Sequence, residues 1–163
     1  PEPAGLALIA PGLALLLAAA ALGISGCNTV PAAAPRDPVA SVTVTTATKA
    51  PYGAYLVDGA GRALYILEGT RGAGGTERCG EDCRAMWPSL MALNTPVGGP
   101  NVNAGQLMVR PAYGGSQVTY AAWPLYYYVR DAGPGDTNGQ HVQDAWGMWH
   151  LVSPSGEPIR PAM

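Results

Sequence analysis

The chain has 163 residues, of which 48% are hydrophobic and only 12% charged, with nine basic residues against eleven acidic ones. That length suits one domain of ordinary size and not two. Eight of the nine basic residues are arginines scattered along the chain, so no basic stripe marks a nucleic-acid partner.

Leu6 to Ile24 is an apolar run interrupted by Pro11, Gly12 and Gly23, and it ends in Ile24-Ser25-Gly26-Cys27. A short apolar segment followed by small residues reads as an export signal. The small residues directly before a cysteine resemble the lipobox of bacterial lipoproteins. That resemblance implies a signal peptide over residues 1–26, cleavage before Cys27, and diacylglycerol on its thiol. Each buried methylene contributes about 0.8 kcal/mol, and two chains hold where one is marginal. The competing reading is an uncleaved transmembrane helix, and Gly23 with the small residues before Cys27 weighs against it. The opening Pro1-Glu2 lacks the basic residues and initiator Met of such signals and is read as a truncated start.

Residues 27–48 are the lipidated cysteine and a Pro/Ala/Thr tether, too poor in large apolar side chains to order themselves. Within it, Ser41 to Thr48 alternates Val with Thr and reads either as a first strand or as the end of the tether. The domain is placed at residues 49–163. Tyr55 to Val57 and Ala63 to Leu67 read as strands around the tight turn Asp58-Gly59-Ala60-Gly61. The glycine-rich Gly69 to Thr76 lacks the lysine of a phosphate-binding loop. Glu81 to Trp87 suits one or two helical turns ended by Pro88.

Cys79 and Cys83 are the two thiols left once Cys27 is lipidated, and an exported chain meets oxidising conditions. A disulfide is expected, worth about 2 kcal/mol for so short a loop, with Trp87 as a buried anchor on the same face. The spacing is not that of a redox pair, and a zinc site lacks a second cysteine pair. Further on, Gln106 to Arg110 and Gln117 to Tyr120 read as strands joined by Pro111 to Gly115. Val118 to Val152 runs from an aromatic strand through a Gly/Pro/Asp/Asn turn into a second aromatic run.

Two segments echo each other. Gly61 to Tyr65, a loop and Trp87 correspond to Ala122 to Tyr126, a loop and Trp146. The fold expected is therefore a mostly β, small antiparallel domain of two pseudo-repeated halves sharing one core, with one short disulfide-closed helix. Over about Ala50 to Pro154 the chain resembles a bacterial family of secreted and lipoprotein repeats of unknown function, noted for a Y-x-[FWY]-x-x-D motif. Tyr126-Tyr127-Tyr128-Val129-Arg130-Asp131 fits the motif. The first copy departs from it, with Leu67 at the aromatic position and Thr70 at the aspartate. The resemblance implies no activity.

Candidate sites are of three kinds. Tyr120, Trp123, Tyr126, Tyr128, Trp146 and Trp149, with Asp131, are a candidate aromatic face for an envelope protein or a glycan. Tyr127 alternates to the opposite face. His141, Met148 and His150 are the soft and imidazole ligands near one another, and they carry the alternative of a copper- or haem-dependent electron-transfer accessory. Asp131, Asp136 and Asn138 offer oxygen ligands, but too few for an EF-hand, and Asp or Asn before Gly is ordinary turn chemistry. No catalytic motif stands out. The function expected is a lipid-anchored, extracytoplasmic, non-enzymatic binding module without a cofactor, attached to the membrane by its lipid.

Overall fold

The computed structural model describes residues 41–72 and 78–161. The export signal, Cys27 and most of the tether lie outside them. The described elements are β1 (Thr43–Lys49), β2 (Gly53–Asp58), β3 (Tyr65–Leu67), α1 (Glu81–Met86), β4 (Val97–Gly98), β5 (Leu107–Ala112), β6 (Gly115–Tyr120), β7 (Trp123–Pro124) and β8 (Trp149–Leu151). They form three small sheets, ordered β2-β1-β4, β3-β8 and β5-β6-β7. The mostly β, largely antiparallel architecture with one short helix is the one expected.

The Val/Thr alternation before Lys49 is a strand and not tether. β1 pairs antiparallel with β2 from Val44 opposite Asp58 to Lys49 opposite Gly53, so a paired strand stands ahead of the expected boundary at 49. Val44 is buried while its threonine neighbours are half exposed, the alternation of a one-sided strand. The predicted loop Pro111 to Gly115 shrinks to Tyr113-Gly114, because β5 and β6 stay in register out to Ala112 opposite Gly115. Pro111 is tolerated there because β5 is an edge strand.

The Asp58–Arg62 turn closes as expected. Asp58 N donates to Arg62 O, Gly61 takes a positive φ of 83°, and Val57 bridges Ala63. β3 then leaves its expected hairpin partner and pairs with β8 instead.

That departure shows how the two halves are joined. Tyr65 N donates to Tyr126 O at 2.9 Å, and Tyr126 N returns the bond to Tyr65 O at 3.0 Å. Around this reciprocal pair the bonds repeat. Leu56 N donates to Val152 O as Val118 N does to Leu90 O, both at 2.8 Å. Leu64 N to Leu56 O matches Leu125 N to Val118 O, both at 3.0 Å. Glu68 N to Met148 O matches Val129 N to Met86 O. The segment after Trp87 therefore crosses to the hairpin of the second half, and the segment after Trp149 crosses to the hairpin of the first. Neither half completes its own ladder, and each of the two hydrophobic clusters draws residues from both halves.

The echo needs one correction. Trp87 corresponds to Trp149 and not to Trp146. Tyr65 meets Trp87 edge-on at 5.6 Å, as Tyr126 meets Trp149 at 5.2 Å. Trp87 and Trp149 stack on each other at 3.9 Å and 8°, and Tyr128 stacks on the far side of Trp87 at 4.2 Å. The Cys79–Cys83 disulfide is formed, with the two Cα atoms 4.9 Å apart. Both cysteines and Trp87 are buried, so α1 is pinned to the core by the anchor expected of it.

Candidate functional site

The aromatic face read from the sequence is corrected by the structure. Tyr120, Trp123, Tyr126, Tyr128 and Trp149 are buried, and only Trp146 is half exposed. Alternation predicted one ring set in and one out, but the crossed halves cover both. Tyr126 is bridged by Tyr65 on one side and by Ser89 on the other. Tyr127, expected on the opposite face, is half-buried and donates to Asp58 Oδ2 at 2.8 Å under the guanidinium of Arg62. Burial and the Asp58 carboxylate hold its phenol protonated, well above the usual tyrosine range.

The acids near these rings are structural. Asp131 Oδ2 accepts from Tyr65 Oη at 2.7 Å, and Oδ1 accepts from Asn138 N. Tyr65 belongs to the first half, so the motif aspartate of the second copy ties the two copies together. Burial and this bond push the Tyr65 phenol far up. Thr70, at the position of the missing first aspartate, instead donates to Leu67 O within its own turn. Asp136 accepts from Ala132 N and Gly133 N, the turn role that competed with calcium. Asp144 is the acid that sequence reasoning undervalued. Its Oδ2 accepts from Trp87 Nε1 at 2.8 Å and from Trp149 Nε1 at 3.0 Å, and its Oδ1 holds Trp146 N and Gly147 N. The signal was present as Asp-Ala-Trp-Gly, an Asx turn placed between the two halves of the tryptophan stack.

His141 and His150 do come together, edge-to-face at 5.5 Å. Gln140 Oε1 accepts from Leu151 N, which points Gln140 Nε2 at both Ile159 O and His141 Nε2. His141 Nε2 thus lies 2.8 Å from Gln140 Nε2 and 3.1 Å from Ile159 O, and is occupied in either tautomer. His150 is buried with neither ring nitrogen hydrogen-bonded, and Glu68 Oε2 lies 3.8 Å from its Nε2. Burial lowers its pKa, with Glu68 acting in the opposite direction. Among the described residues no three His, Cys, Asp or Glu side chains converge as a metal site. Met148 is half-buried just ahead of β8.

Two corners of the molecule keep open space, and they occupy corresponding places in the two halves. Beside the second half's edge, Pro51 and Tyr52 of the β1–β2 turn, His141 and the tail residues Ile159, Arg160 and Pro161 line a cleft of about 460 Å3. Beside the first half's edge, Gly80, Glu81 and Arg84 of the α1 region and Tyr113 of the β5–β6 turn line one of about 310 Å3. Tyr113 is 71% exposed, with the Arg84 guanidinium 4.4 Å over its ring. A smaller cleft of about 120 Å3 continues past the same turn, lined by Met91, Ala92, Leu93 and Gly114 to Ser116. Leu93 is 82% exposed. Sequence reasoning did not single out Arg84, Tyr113 or Leu93, because a lone ring in a Tyr-Gly-Gly turn looks like any loop tip.

Residues 108–153 match the model of a family described as a secreted repeat of unknown function, which agrees with the resemblance read from the sequence. The matched stretch runs from β5 to just past β8, the second of the two halves. A secreted family accords with an extracytoplasmic location. No helix among the described residues is long and apolar enough to cross a membrane. No curated protein and no solved structure matches the chain.

Proposed function

We propose that this secreted-repeat protein is a lipid-anchored envelope module that binds a polypeptide partner at the Arg84–Tyr113 cleft and carries out no chemistry of its own. Anchoring rests on the Ile24-Ser25-Gly26-Cys27 sequence. Binding rests on one observation: an exposed ring, braced by a guanidinium, stands over open space beside an exposed leucine. Tyrosine and arginine are the side chains that most often carry binding energy, and a braced ring loses little freedom on contact. The glycan reading is weaker, because the rings that would stack on sugars are in the core.

The test places a photoreactive residue at position 113 of the full-length protein in cells, with position 108 as control, since Met108 is also exposed. An adduct at 113 that is absent at 108 and lost with Arg84→Ala supports the reading. Equal labelling at both positions, or none, rejects it. The same preparation is checked for metal and visible absorbance. Stoichiometric copper or haem would overturn the proposal in favour of electron transfer by His141, Met148 and His150. Lipidation is tested by mass spectrometry: the mature chain should begin at Cys27 with added acyl mass, and Cys27→Ala should abolish processing.

A further inference from the structure

The two halves differ in what covers the edge beside each cleft. In the second half, Leu151 lies opposite Tyr65, and the peptide groups of Leu151 and Ser153 face outward to a tail segment. Leu151 N donates to Gln140 Oε1, and Ile159 N donates to Leu151 O. Ser153 N donates to Glu157 O, and Gly156 N donates to Ser153 O. Val152 bridges Pro158. The chain thus turns back at Ser153–Gly156 and lays Glu157 to Ile159 along the edge as an added strand.

Ser89 and Met91 hold the corresponding places in the first half. Ser89 lies opposite Tyr126, flanked by the bonds Leu90 N to Leu125 O and Tyr127 N to Pro88 O. Met91 lies opposite Gln117, flanked by Val118 N to Leu90 O and Ala92 N to Ser116 O. With the flanking residues bonded inward, the N–H and C=O of Ser89 and Met91 face outward. Among the described residues these four groups have no hydrogen-bond partner. The chain does not turn back after Met91. It runs on to β4, where Val97 pairs with Thr43 of β1.

We infer that the Ser89–Met91 edge takes an extended segment of a partner polypeptide, antiparallel, in the place that Glu157 to Ile159 fills in the other half. This inference rests on the proposed binding role of the Arg84–Tyr113 cleft and names its ligand. Strand addition supplies main-chain bonds for affinity and side-chain pockets for selectivity, and an unpaired edge is a template for such pairing.

The filled half also dictates the ligand's side chains. Ile159 packs against the core and lines the same cleft as Tyr52, so the ligand carries a branched aliphatic anchor for the cleft lined by Arg84 and Tyr113. The next residue, Arg160, donates to Glu68 Oε1 at 2.6 Å. The place of Glu68 is taken in the first half by Val129, which donates to Met86 O as Glu68 does to Met148 O and is 48% exposed. An arginine has no partner there, and the ligand carries an apolar residue instead.

The experiment uses the full-length protein and a fluorescent peptide of residues 155–161 in which Arg160 is replaced by Val. Anisotropy should saturate, and hydrogen exchange should slow in the segment 88–92. Binding should weaken at least tenfold when the isoleucine of the peptide is replaced by glycine, and likewise in the Tyr113→Ala protein. Ser89→Pro, which deletes one outward N–H, should weaken it similarly; Tyr113→Ala keeps the test valid if that variant does not fold. Absence of saturable binding up to about 1 mM, equal binding of a scrambled peptide, or protection at 151–159 in place of 88–92 would overturn the inference. So would a dimer that protects 88–92 without added peptide, which would make a second copy the occupant. If the peptide fails while the position-113 adduct still forms, strand addition is wrong and the binding role stands.

Discussion

The two halves of this protein are built to the same plan and finished differently. Both have a hairpin, a tight turn, a central tyrosine and a tryptophan whose following segment crosses to the other half. The second half is closed by its own tail, and the first has its edge left open. The crossing explains why the interior is so aromatic. A small domain without phenylalanine brings Trp87, Trp149 and Tyr128 into one stack at the seam. Aromatic pairs of this kind add about 0.5–1.5 kcal/mol each beyond area burial. The seam is therefore where the halves depend on each other, and the edges are where they differ.

The largest expected effect breaks the seam. Trp87→Ala removes a fully buried ring stacked on both faces, and should destabilise by about 3–5 kcal/mol in denaturant melts. Because the stack joins the halves, the melt should remain one cooperative transition. A separate early transition from one half would show that the halves fold independently. Gly139→Ala strikes the same place by overpacking. A methyl there would come within 2.8 Å of Tyr65 and 2.9 Å of Trp87, at an expected cost of about 1–3 kcal/mol.

Asp144→Ala comes next, since it leaves two buried indole N–H groups without an acceptor. Each unsatisfied buried group costs about 1–3 kcal/mol. A melt indistinguishable from wild type would mean that water replaces the carboxylate. The disulfide ranks lower. Cys79→Ser with Cys83→Ser should lower stability by about 2 kcal/mol, and thiol titration of the denatured, unreduced protein should find neither cysteine free.

Much of this was legible in the sequence, and what was hidden was hidden for physical reasons. Asp58 to Gly61 announced its turn through glycine, and Cys79, Cys83 and Trp87 announced a pinned helix by their spacing. The repeat was visible, but its crossing was not, because alternation gives the faces of a strand and never its partner. That is why Ala63 to Leu67 was read as the partner of β2 throughout, when Ala63 and Leu64 stay with β2 and β8 claims Tyr65 to Leu67. It is also why Tyr126 and Trp149 were read as a surface. The open edge was invisible for the opposite reason. An unpaired Ser89 has no side-chain signature, and it is recognised only when Leu151 shows what its counterpart looks like when covered.

The smallest expected effect sharpens the comparison at the tail. His150 lies buried under the covered edge, facing Glu68, His141, Arg160 and the backbone of Ile159. The position corresponding to it in the first half is Pro88, which does not titrate. Burial depresses the His150 pKa below its ordinary value of about 6.5. The unfolded chain then binds the proton more readily than the folded one, so its contribution is fully present above about pH 6.5 and is lost as pH falls toward the folded value. Denaturant midpoints between about pH 5 and pH 8 should therefore decline on the acid side, and His150→Leu should flatten that decline. Glu68→Gln should steepen it, because Glu68 is the neighbour that raises the His150 pKa. Hydrogen exchange at Ile159, whose N–H is held by Leu151 O, should quicken over the same acid range, while exchange at Leu90 in the first half stays level. Equal quickening at both edges would show that acid loosens the seam and not the tail.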